Sequence, residues 1–316
     1  MKVSVIICTF NRAAMLAGAL ESIARQSPPL AGDWEIVVVD NNSADATVKV
    51  VDEIGRRFPG RLRYVFEGKQ GLSHARNSGI REAAGEILVF VDDDVRLTPF
   101  WLARLSQAFE DNSISGAGGR ILPDWACPPP KWLCMDERYA LAPFAVFDLG
   151  AEAHLLDEPP MGASMAFRRS MFERYGDFRT DLGRSGSGML SNEDTEFGRR
   201  LLKAGERLHY AANAVVYHPV SAERLDKSYL LRWWYGKGRS DIREHGPRPG
   251  TRFFVAGIPL YLVRQLARWS VCWLFSPIPR QRFQNKINVW GKLGAIAECL
   301  NATRRGLHVH QQEVAG

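Results

Sequence analysis

The stretch EILVFVDDD (Glu86–Asp94) joins an uninterrupted apolar run to three adjacent carboxylates. An apolar run of this kind is typical of a strand that is buried on both faces of a parallel sheet. Asp92, Asp93 and Asp94 follow at its end, where they would repel one another unless a cation or hydrogen-bond donors compensate their charge. An acidic turn exposed to solvent is the alternative. The position after a buried strand favours a site that binds Mg²⁺ or Mn²⁺, because hard divalent cations accept carboxylate oxygens and substrate phosphates.

Short β-branched runs alternate with amphipathic stretches throughout the first ninety residues. The predicted strands are Val3 to Cys8, Glu35 to Val39, Leu62 to Phe66 and Glu86 to Val91, and the predicted helices are Ala13 to Arg25, Ala44 to Arg57 and Leu72 to Ala84. Repeated βαβ units predict an α/β fold, a mostly parallel, Rossmann-like sheet flanked by helices. Ligands of such sheets bind outside the carboxyl ends of the strands, so the functional residues should follow the strands.

The pattern loosens after Asp94. We expect irregular loops as far as Pro160, regular structure from Met165 to Tyr175, a helix from about Asn192 to Ala204, and a strand from Ala214 that ends at His218. Beyond Ser221 the chain looks helical, with a break near Arg248-Pro249-Gly250. We therefore expect a catalytic domain over residues 1–221 and a helical C-terminal region over residues 222–316.

The positive charge of the chain belongs to this C-terminal region. Residues 222–316 hold 16 Lys/Arg against 6 Asp/Glu, a net charge of +10, whereas the whole chain carries +6. Five of the nine tryptophans also lie there, and a basic, Trp-rich segment indicates an anionic membrane surface rather than nucleic acid. The segment Phe253 to Ser276 is predicted as a helix in the membrane interface, with Arg264 and Arg268 on one face. A helix buried in a homodimer or in its own domain is the alternative.

The five cysteines show no paired spacing typical of a zinc site or of disulfides. The N-terminus has no apolar segment typical of a signal peptide. We therefore expect a cytoplasmic protein, either free or peripheral on the cytoplasmic face of the inner membrane.

Two polar clusters follow the first two predicted strands. They are Thr9-Phe10-Asn11-Arg12 and Asp40-Asn41-Asn42-Ser43. Their loops should lie side by side at the sheet edge, where a carboxylate can accept hydrogen bonds from a base or a ribose. Each cluster alone could be an ordinary turn or helix cap. Together with the acidic triplet they predict a nucleotide pocket.

Three further segments carry candidate residues. In GLSHARNSG (Gly71–Gly79), Arg76 and Asn77 could reach the nucleotide, although Arg76 could equally lie on a solvated helix face. Gly162-Ala163 permits a close backbone approach to a ligand. Glu193-Asp194 opens a helix, where simple charge at the helix N-terminus is the alternative to a catalytic role.

Six segments in this order resemble the catalytic domain of glycosyltransferase family 2, which has the GT-A fold. They are VSVIICTFNR, EIVVVDNNSAD, GLSHARNSGI, ILVFVDDD, GASMAFRR and NEDTEFGRRLLKAG. The resemblance covers about the first 220 residues. It implies an enzyme that transfers a sugar from a nucleotide diphosphate, with a UDP-sugar as the first candidate, to a hydroxyl of a glycan or of a lipid-linked glycan.

The resemblance also implies a role for each candidate residue. Asp194 would be the base that deprotonates the acceptor hydroxyl, with Glu193 beside it. Asp94 would hold the metal. His218 matches a position that in some relatives helps to hold the metal or the diphosphate, although a histidine packed inside the protein is the alternative. Gly162 and Ala163 would lie near the sugars. The nucleotide would be contacted by Thr9, Asn11, Arg12, Asp40, Arg76, Asp92 and Asp93.

Charge considerations then predict an inverting mechanism. A divalent cation neutralises the leaving diphosphate, while a carboxylate activates the acceptor on the opposite face of the sugar. Three rivals remain: a polyprenyl-phosphate sugar transferase of the same fold, a nucleotidyltransferase, and a scaffold that retains the fold without turnover. A nucleotidyltransferase would usually carry a Gly-rich phosphate loop after the first strand, and Thr9-Phe10-Asn11-Arg12 is not one.

Overall fold

Strands and helices alternate along the first hundred residues, as the apolar pattern predicts. The structure is a computed structural model that describes residues 2–27, 33–58, 61–135, 138–186 and 188–304. In chain order its strands and α-helices are β1 Val3–Thr9, α1 Ala13–Ala24, β2 Trp34–Asp40, α2 Thr47–Gly55, β3 Leu62–Phe66, α3 Leu72–Glu82, β4 Ile87–Asp92, β5 Arg96–Leu97, α4 Trp101–Gln107, β6 Ile114–Trp125, α5 Arg138–Leu141, β7 His154–Leu156, β8 Ser164–Arg168, α6 Arg169–Tyr175, α7 Glu193–Lys203, β9 Arg207–Val220, α8 Lys227–His245, β10 Phe254–Val255, β11 Ile258–Pro259, α9 Leu260–Phe275 and α10 Pro279–Arg304.

Four parallel strands form the part of the sheet that the sequence predicts, in the order β3-β2-β1-β4. Their inner residues are almost wholly buried in β1, β2 and β4, which explains the continuous Val and Ile runs. The register places Thr9 beside Asp40 and Cys8 beside Asp92. The polar residues after these strands therefore meet at one edge of the sheet.

The sheet continues beyond β4 with strands of mixed direction. β8 runs antiparallel to β4 and brings Ser164 beside Val91. β6 pairs antiparallel with β8 and parallel with β9, and β5 and β7 each pair antiparallel with β9. Because β8 begins at the edge where β4 ends, the segment that precedes β8 lies at the same edge as the polar residues that follow β1, β2 and β4. The predicted α/β class, with helices flanking a central sheet, is confirmed.

The expectation of irregular loops from Asp94 to Pro160 is wrong for helix α4 and, over a longer stretch, for strand β6. Three glycines and a proline hide this strand in the sequence, because glycine in a strand ordinarily indicates a bulge or a turn. A Cβ on Gly116 would collide with Phe167, and one on Gly118 would lie 2.7 Å from Pro160 Cβ. Close packing against neighbouring strands therefore selects these glycines. β9 is also longer than predicted, since it extends from Arg207 to Val220 instead of starting at Ala214.

The described chain forms two compact units. The first holds the sheet and comprises residues 1–126, 144–186 and 193–220, and the second is built mainly from residues 221–304 with two shorter pieces before them. In the second unit α8 and α10 approach closely at glycines, because a Cβ on Gly238 would meet the backbone of Gly291 and one on Gly294 would meet that of Tyr235. Leu262, Ala295 and Cys299 form its small core.

The predicted helix from Phe253 to Ser276 is wrong at its start. Residues 254–259 form a two-stranded hairpin, β10 and β11, and helix α9 begins only at Leu260. Gly257 in its turn has φ 78°, a conformation that favours glycine. The expected break near Gly250 is confirmed, since α8 ends at His245 and Gly250 also has a positive φ. Within the described ranges, no helix combines the length and the apolar character needed to cross a bilayer.

Candidate functional site

The carboxyl ends of β1, β2 and β4 bring the sequence-predicted nucleotide residues together at one edge of the first unit. Asp93 is the central anchor of this edge. Its Oδ2 accepts a hydrogen bond from Thr9 Oγ1 at 2.7 Å, and its Oδ1 lies 3.2 Å from Arg12 Nη1. Burial raises the pKa of Asp93 to about 7, although Arg12 opposes the shift. Asp93 therefore ties the loop after β1 to the loop after β4.

Asp92, Asp94 and His218 form a group suited to a divalent cation. One ligand atom from each lies within 4.8 Å of the others, and His218 Nε2 is 3.7 Å from Asp94 Oδ1. Asp94 and His218 side chains are both almost fully buried. His218 reaches the group from the end of β9, and Arg12 Nη1 contacts Asp94 Oδ2 at 3.1 Å from the other side. Two carboxylates and an imidazole are an appropriate ligand set for such a cation.

Asp40 and Asn11 shape the neighbouring part of the edge. Asp40 is buried and accepts hydrogen bonds from the Ser43 N–H at 2.9 Å and from the Tyr64 hydroxyl at 2.8 Å. Asn11 is exposed with φ 52°, and its side chain accepts a bond from the Ala44 N–H at 2.7 Å. The loops after β1 and β2 are thus held to each other, as their predicted adjacency requires.

Arg76 lies inside the protein instead of on a solvated helix face. Its guanidinium is 2.7 Å from Glu193 Oε1 and 3.6 Å from Asp92 Oδ1, and it lies over the ring of Phe178. Burial raises the pKa of Glu193 to about 7, and the nearby charge of Asp194 adds to the shift while Arg76 opposes it. Arg76 therefore connects the acidic triplet to the start of α7.

Asp194 is held at the same place by backbone donors. Its Oδ2 accepts a hydrogen bond from the Gly162 N–H at 2.7 Å, and its Oδ1 accepts one from the Thr195 N–H, also at 2.7 Å. A Cβ on Gly162 would collide with the Arg76 guanidinium and lie 3.0 Å from Asp194 Oδ2. Ala163, buried beside it, leads into β8. Glycine at position 162 is therefore required by the approach of Arg76 and Asp194.

Negative charge dominates this edge. The acidic residues Asp92, Asp93, Asp94, Glu193 and Asp194 outnumber the two arginines that contact them, Arg12 and Arg76. Burial raises the pKa of Asp92 as well, and Asp94 contributes to the rise. A divalent cation beside Asp92 and Asp94 would relieve this repulsion, so the residues present fit a metal site.

Sequence reasoning misplaced one residue and missed others. Asn77 does not join the polar residues at this edge of the sheet, because its side-chain amide donates to the Phe178 carbonyl at 2.9 Å and accepts from the Phe178 N–H at 3.1 Å. Asn41 is predicted only as a member of the polar cluster that follows the second strand, with no role of its own, yet it is buried and bonds the backbone of Glu67, Lys69 and Gly71. Tyr64, the partner of Asp40, gave no signal beyond its place in the middle of a predicted strand.

Comparison with known proteins identifies the family. The family model described as "Glycosyl transferase family 2" matches residues 4–176, more than half of the chain. The protein belongs to glycosyltransferase family 2. This confirms the predicted family and the predicted class of enzyme, a glycosyltransferase.

Two relatives illustrate the range of this family. The glucosyl-dolichyl phosphate glucuronosyltransferase of Haloferax volcanii is 27% identical over 244 residues, which cover 75% of each chain. The GalNAc(5)-diNAcBac-PP-undecaprenol beta-1,3-glucosyltransferase of Campylobacter jejuni is 39% identical, over 108 residues and 34% of each chain. Both names describe transfer to a lipid-linked substrate of those proteins.

Solved structures confirm the predicted GT-A fold of this glycosyltransferase. The mannosyltransferase of Pyrobaculum calidifontis, solved in complex with GDP-Man and Mn²⁺, superimposes with a TM-score of 0.63 at 20% identity. The match covers 95% of this chain and 87% of that one. A second match is a GalNAc transferase with UDP, GalNAc and Mn²⁺, with a TM-score of 0.54 at 18% identity.

Proposed function

We propose that this glycosyltransferase is inverting and metal-dependent, and that it moves one sugar from a nucleotide diphosphate to a hydroxyl acceptor. One observation carries the proposal: Asp92, Asp94 and His218 form a cation-sized group, and Asp194 lies near it. Asp194 accepts a hydrogen bond from the Gly162 N–H, and Gly162 packs closely against the Arg76 guanidinium, which is 3.6 Å from Asp92. An electrophile held by the first set therefore has a base near it. The rival scaffold has no need of such an arrangement.

The donor side is assigned to the residues after β1, β2 and β4. Thr9, Asn11, Arg12 and Asp40 line the nucleotide, Asp93 fixes the loops around it, and Asp92 accepts from the ribose. Arg76 does not contact the donor but positions Asp92, because its guanidinium is buried against the carboxylates of Asp92 and Glu193. Mg²⁺ or Mn²⁺ held by Asp94 and His218, when bound, would neutralise charge on the departing diphosphate.

The acceptor side is assigned to Asp194 and the segment before β8. The N–H groups of Gly162 and Thr195 each donate a hydrogen bond to one oxygen of the Asp194 carboxylate, which fixes its orientation while each oxygen keeps a further lone pair for an incoming hydroxyl. Asp194 takes the proton of that hydroxyl as the new bond forms on the sugar face opposite the nucleotide. A single displacement inverts the anomeric centre. Glu193 supports this side through Arg76, and Ala163 lies against the sugars.

The setting of the reaction is a further part of the proposal. Residues 1–221 form the catalytic domain, the donor is a UDP-sugar, and the acceptor is a glycan or a lipid-linked glycan. The lipid-linked substrates in the names of the two relatives support this acceptor class. The basic C-terminal region, residues 222–316, keeps the enzyme peripheral on the cytoplasmic face of the inner membrane. A lipid phosphate as acceptor is the rival, and it would not need Asp194 as a base.

Nucleotide binding tests the proposal directly. We expect UDP to bind at least tenfold more tightly with Mn²⁺ than with EDTA, measured by titration calorimetry, and we expect Asp94→Asn to remove most of this difference. Asp33→Asn, which changes an exposed aspartate in the same unit, is the matched control. Transfer activity with a panel of nucleotide sugars then identifies the donor. Equal affinity with EDTA and with Mn²⁺ for every nucleotide tested would refute the metal dependence.

A further inference from the structure

Helix α9 exposes an unusual amount of apolar surface for a helix at the surface of a folded protein. Phe275 is 77% exposed and Leu274 is 63% exposed, and Val263 and Val271 are exposed as well. Leu262 is the only residue of α9 that is fully buried. An exposed apolar patch of this kind marks a surface that contacts a partner or a membrane.

The exposed side chains of α9 lie on one face. Val263, Ala267, Val271 and Leu274 are spaced four, four and three residues apart, which places them along one stripe of a helix, and Phe275 extends it. Arg264 and Arg268 each follow one member of the stripe, so they line one border of it, and both are exposed. We call this stripe and its arginine border the α9 face.

Apolar residues also flank the α9 face at both ends of the helix. Phe253 (71% exposed) and Val255 precede α9 at the β10–β11 hairpin, and Ile278 follows it, each with an exposed side chain. Helix α9 has 16 residues and is therefore about 24 Å long. The exposed apolar surface therefore extends along the whole length of α9.

The chain segment that carries the α9 face and continues through α10 has charged residues that are almost all positive. Residues 246–304 contain nine Lys/Arg and a single acidic residue, Glu298. Glu298 is buried and bonded to Arg239 at 2.9 Å and to Arg243 at 2.7 Å, so it does not offset the charge of the surface. The partner of the α9 face should therefore be apolar at its centre and anionic at its border.

We propose that the α9 face lies in the headgroup region of an anionic lipid bilayer, parallel to the membrane plane. Apolar side chains on one side with arginines at the border are the arrangement of interfacial helices. A second copy of the chain fits less well, because a twofold contact would bring Arg264 and Arg268 towards the same arginines of the other copy. The inference rests on the proposed function, since a lipid-linked acceptor would lie at that surface.

Vesicle co-sedimentation of the 316-residue chain tests the proposal. We expect binding to phosphatidylglycerol vesicles at low salt and weaker binding at high salt, because screening reduces the arginine contribution. Leu274→Ser with Phe275→Ser should weaken binding more than tenfold. Arg264→Gln with Arg268→Gln should weaken it by roughly thirtyfold at low salt and little at high salt, at about 1 kcal/mol per charge.

Matched variants in the first unit control for loss of surface hydrophobicity and charge. Phe100→Ser with Leu155→Ser removes two exposed apolar side chains, and Lys49→Gln with Arg56→Gln removes two exposed charges. Neither pair should change vesicle binding. If these controls weaken binding as much as the α9 variants do, or if the unchanged chain stays in the supernatant, the proposal is wrong.

Two further measurements separate the inference from its rivals. If light scattering shows a dimer that Leu274→Ser with Phe275→Ser converts to a monomer, and vesicles are not bound, the α9 face is a contact between copies and the proposal is overturned. Nucleotide release from a soluble donor without vesicles should be the same for the α9 variants and the unchanged chain. Vesicle binding without any nucleotide release would support the α9 face while refuting the proposed function.

Discussion

At the scale of single residues, Arg76 and Glu193 form the most consequential pair in the site. Both are buried, and they lie 2.7 Å apart although 117 positions separate them in the chain. Removing one partner of such a pair leaves an uncompensated charge inside the protein, at a cost of about 3–5 kcal/mol. Loss of either partner alone should therefore lower the stability of the first unit and disturb the placement of Asp92.

We expect Glu193→Gln to lower turnover at least tenfold and to raise the KM for the donor, because Arg76 then no longer aligns Asp92, which is assigned to the donor, with the start of α7. Steady-state kinetics and thermal unfolding measure the two effects. The double variant Arg76→Met with Glu193→Leu should regain much of the lost stability without regaining turnover. Recovery of turnover in the double variant would mean that the pair only stabilises the fold.

Glu196→Gln is the matched control for this experiment. Glu196 lies one turn further along α7 and pairs with Arg200 at 2.6 Å, away from the acidic triplet. Its loss should leave turnover within about twofold of the unchanged enzyme, since partly exposed helix pairs contribute little.

Asp194→Asn should separate binding from chemistry. The single side-chain oxygen of Asn can still accept the hydrogen bond from the Gly162 N–H, and only the bond from the Thr195 N–H is lost, so the donor affinity should largely persist. An amide cannot take a proton from the acceptor, and turnover should fall about a hundredfold or more. Turnover at the unchanged rate in Asp194→Asn would place the base elsewhere.

The predictable and unpredictable parts of the site differ in a physical way. Asp40 and Asp92 could be placed because the ends of neighbouring parallel strands must meet at one edge. The partner of Arg76 could not, because a helix position alone does not tell whether a later segment covers it. Asn77 was misplaced for the same reason, since Phe178 lies 101 positions away.

At the scale of elements, the buried strands that the sequence revealed are those whose burial is carried by side chains. β1, β2 and β4 are built from Val and Ile and were predicted almost to the residue. β6 was missed because its neighbours occupy the space that side chains would need, and glycines in a strand look like a loop. The β10–β11 hairpin was missed because each strand has only two residues.

β2 provides a prediction about acid stability. Glu35 at its amino end accepts hydrogen bonds from Ser4 Oγ and the Ala84 N–H, each at 2.6 Å, and pairs with Arg63 at 3.1 Å. Burial alone would raise its pKa, but these hydrogen bonds and the charges of Arg63 and Lys2 lower it below the ordinary value. Glu35 therefore stabilises the fold above the pKa it has in the unfolded chain, and this contribution is lost as the pH falls through its lower pKa in the folded protein.

We expect Glu35→Gln to lower the free energy of unfolding by about 1.5–3 kcal/mol at neutral pH and to make unfolding less dependent on pH between about 5 and 3. Urea unfolding at a series of pH values measures both effects. Asp33→Asn, two residues earlier and exposed, is the control. An equal loss of stability at every pH would show that the Glu35 charge is not responsible.

At the scale of the whole molecule, the acidic residues of the candidate site and the excess of basic residues lie in different parts of the chain. The site residues lie in the first unit, whereas the net charge of +10 lies in residues 222–316. A ligand that binds only the folded first unit should stabilise it by mass action, by about 2.7 kcal/mol at a hundred times its Kd. We expect a cognate nucleotide sugar with Mn²⁺ to raise the unfolding temperature by roughly 5–11 °C, at about 2–4 °C per kcal/mol for a unit of this size.

Differential scanning calorimetry measures this shift. Asp94→Asn should abolish it at the same ligand concentration, while Asp33→Asn should retain it. A shift of the same size without Mn²⁺, in the presence of EDTA, would contradict the role assigned to the metal.

Strand β2 carries Glu35 near one end and Asp40 at the other, and five residues of extended chain set them about 17 Å apart. The hydrogen-bonded cluster around Glu35 lies at the amino ends of the parallel strands, whereas the residues proposed to bind the nucleotide lie at their carboxyl ends. Substitutions around Ser4, Glu35 and Arg63 can therefore change the thermal stability of the protein without changing the residues proposed to recognise the donor. An engineer seeking a heat-resistant form of this enzyme would begin at those amino ends.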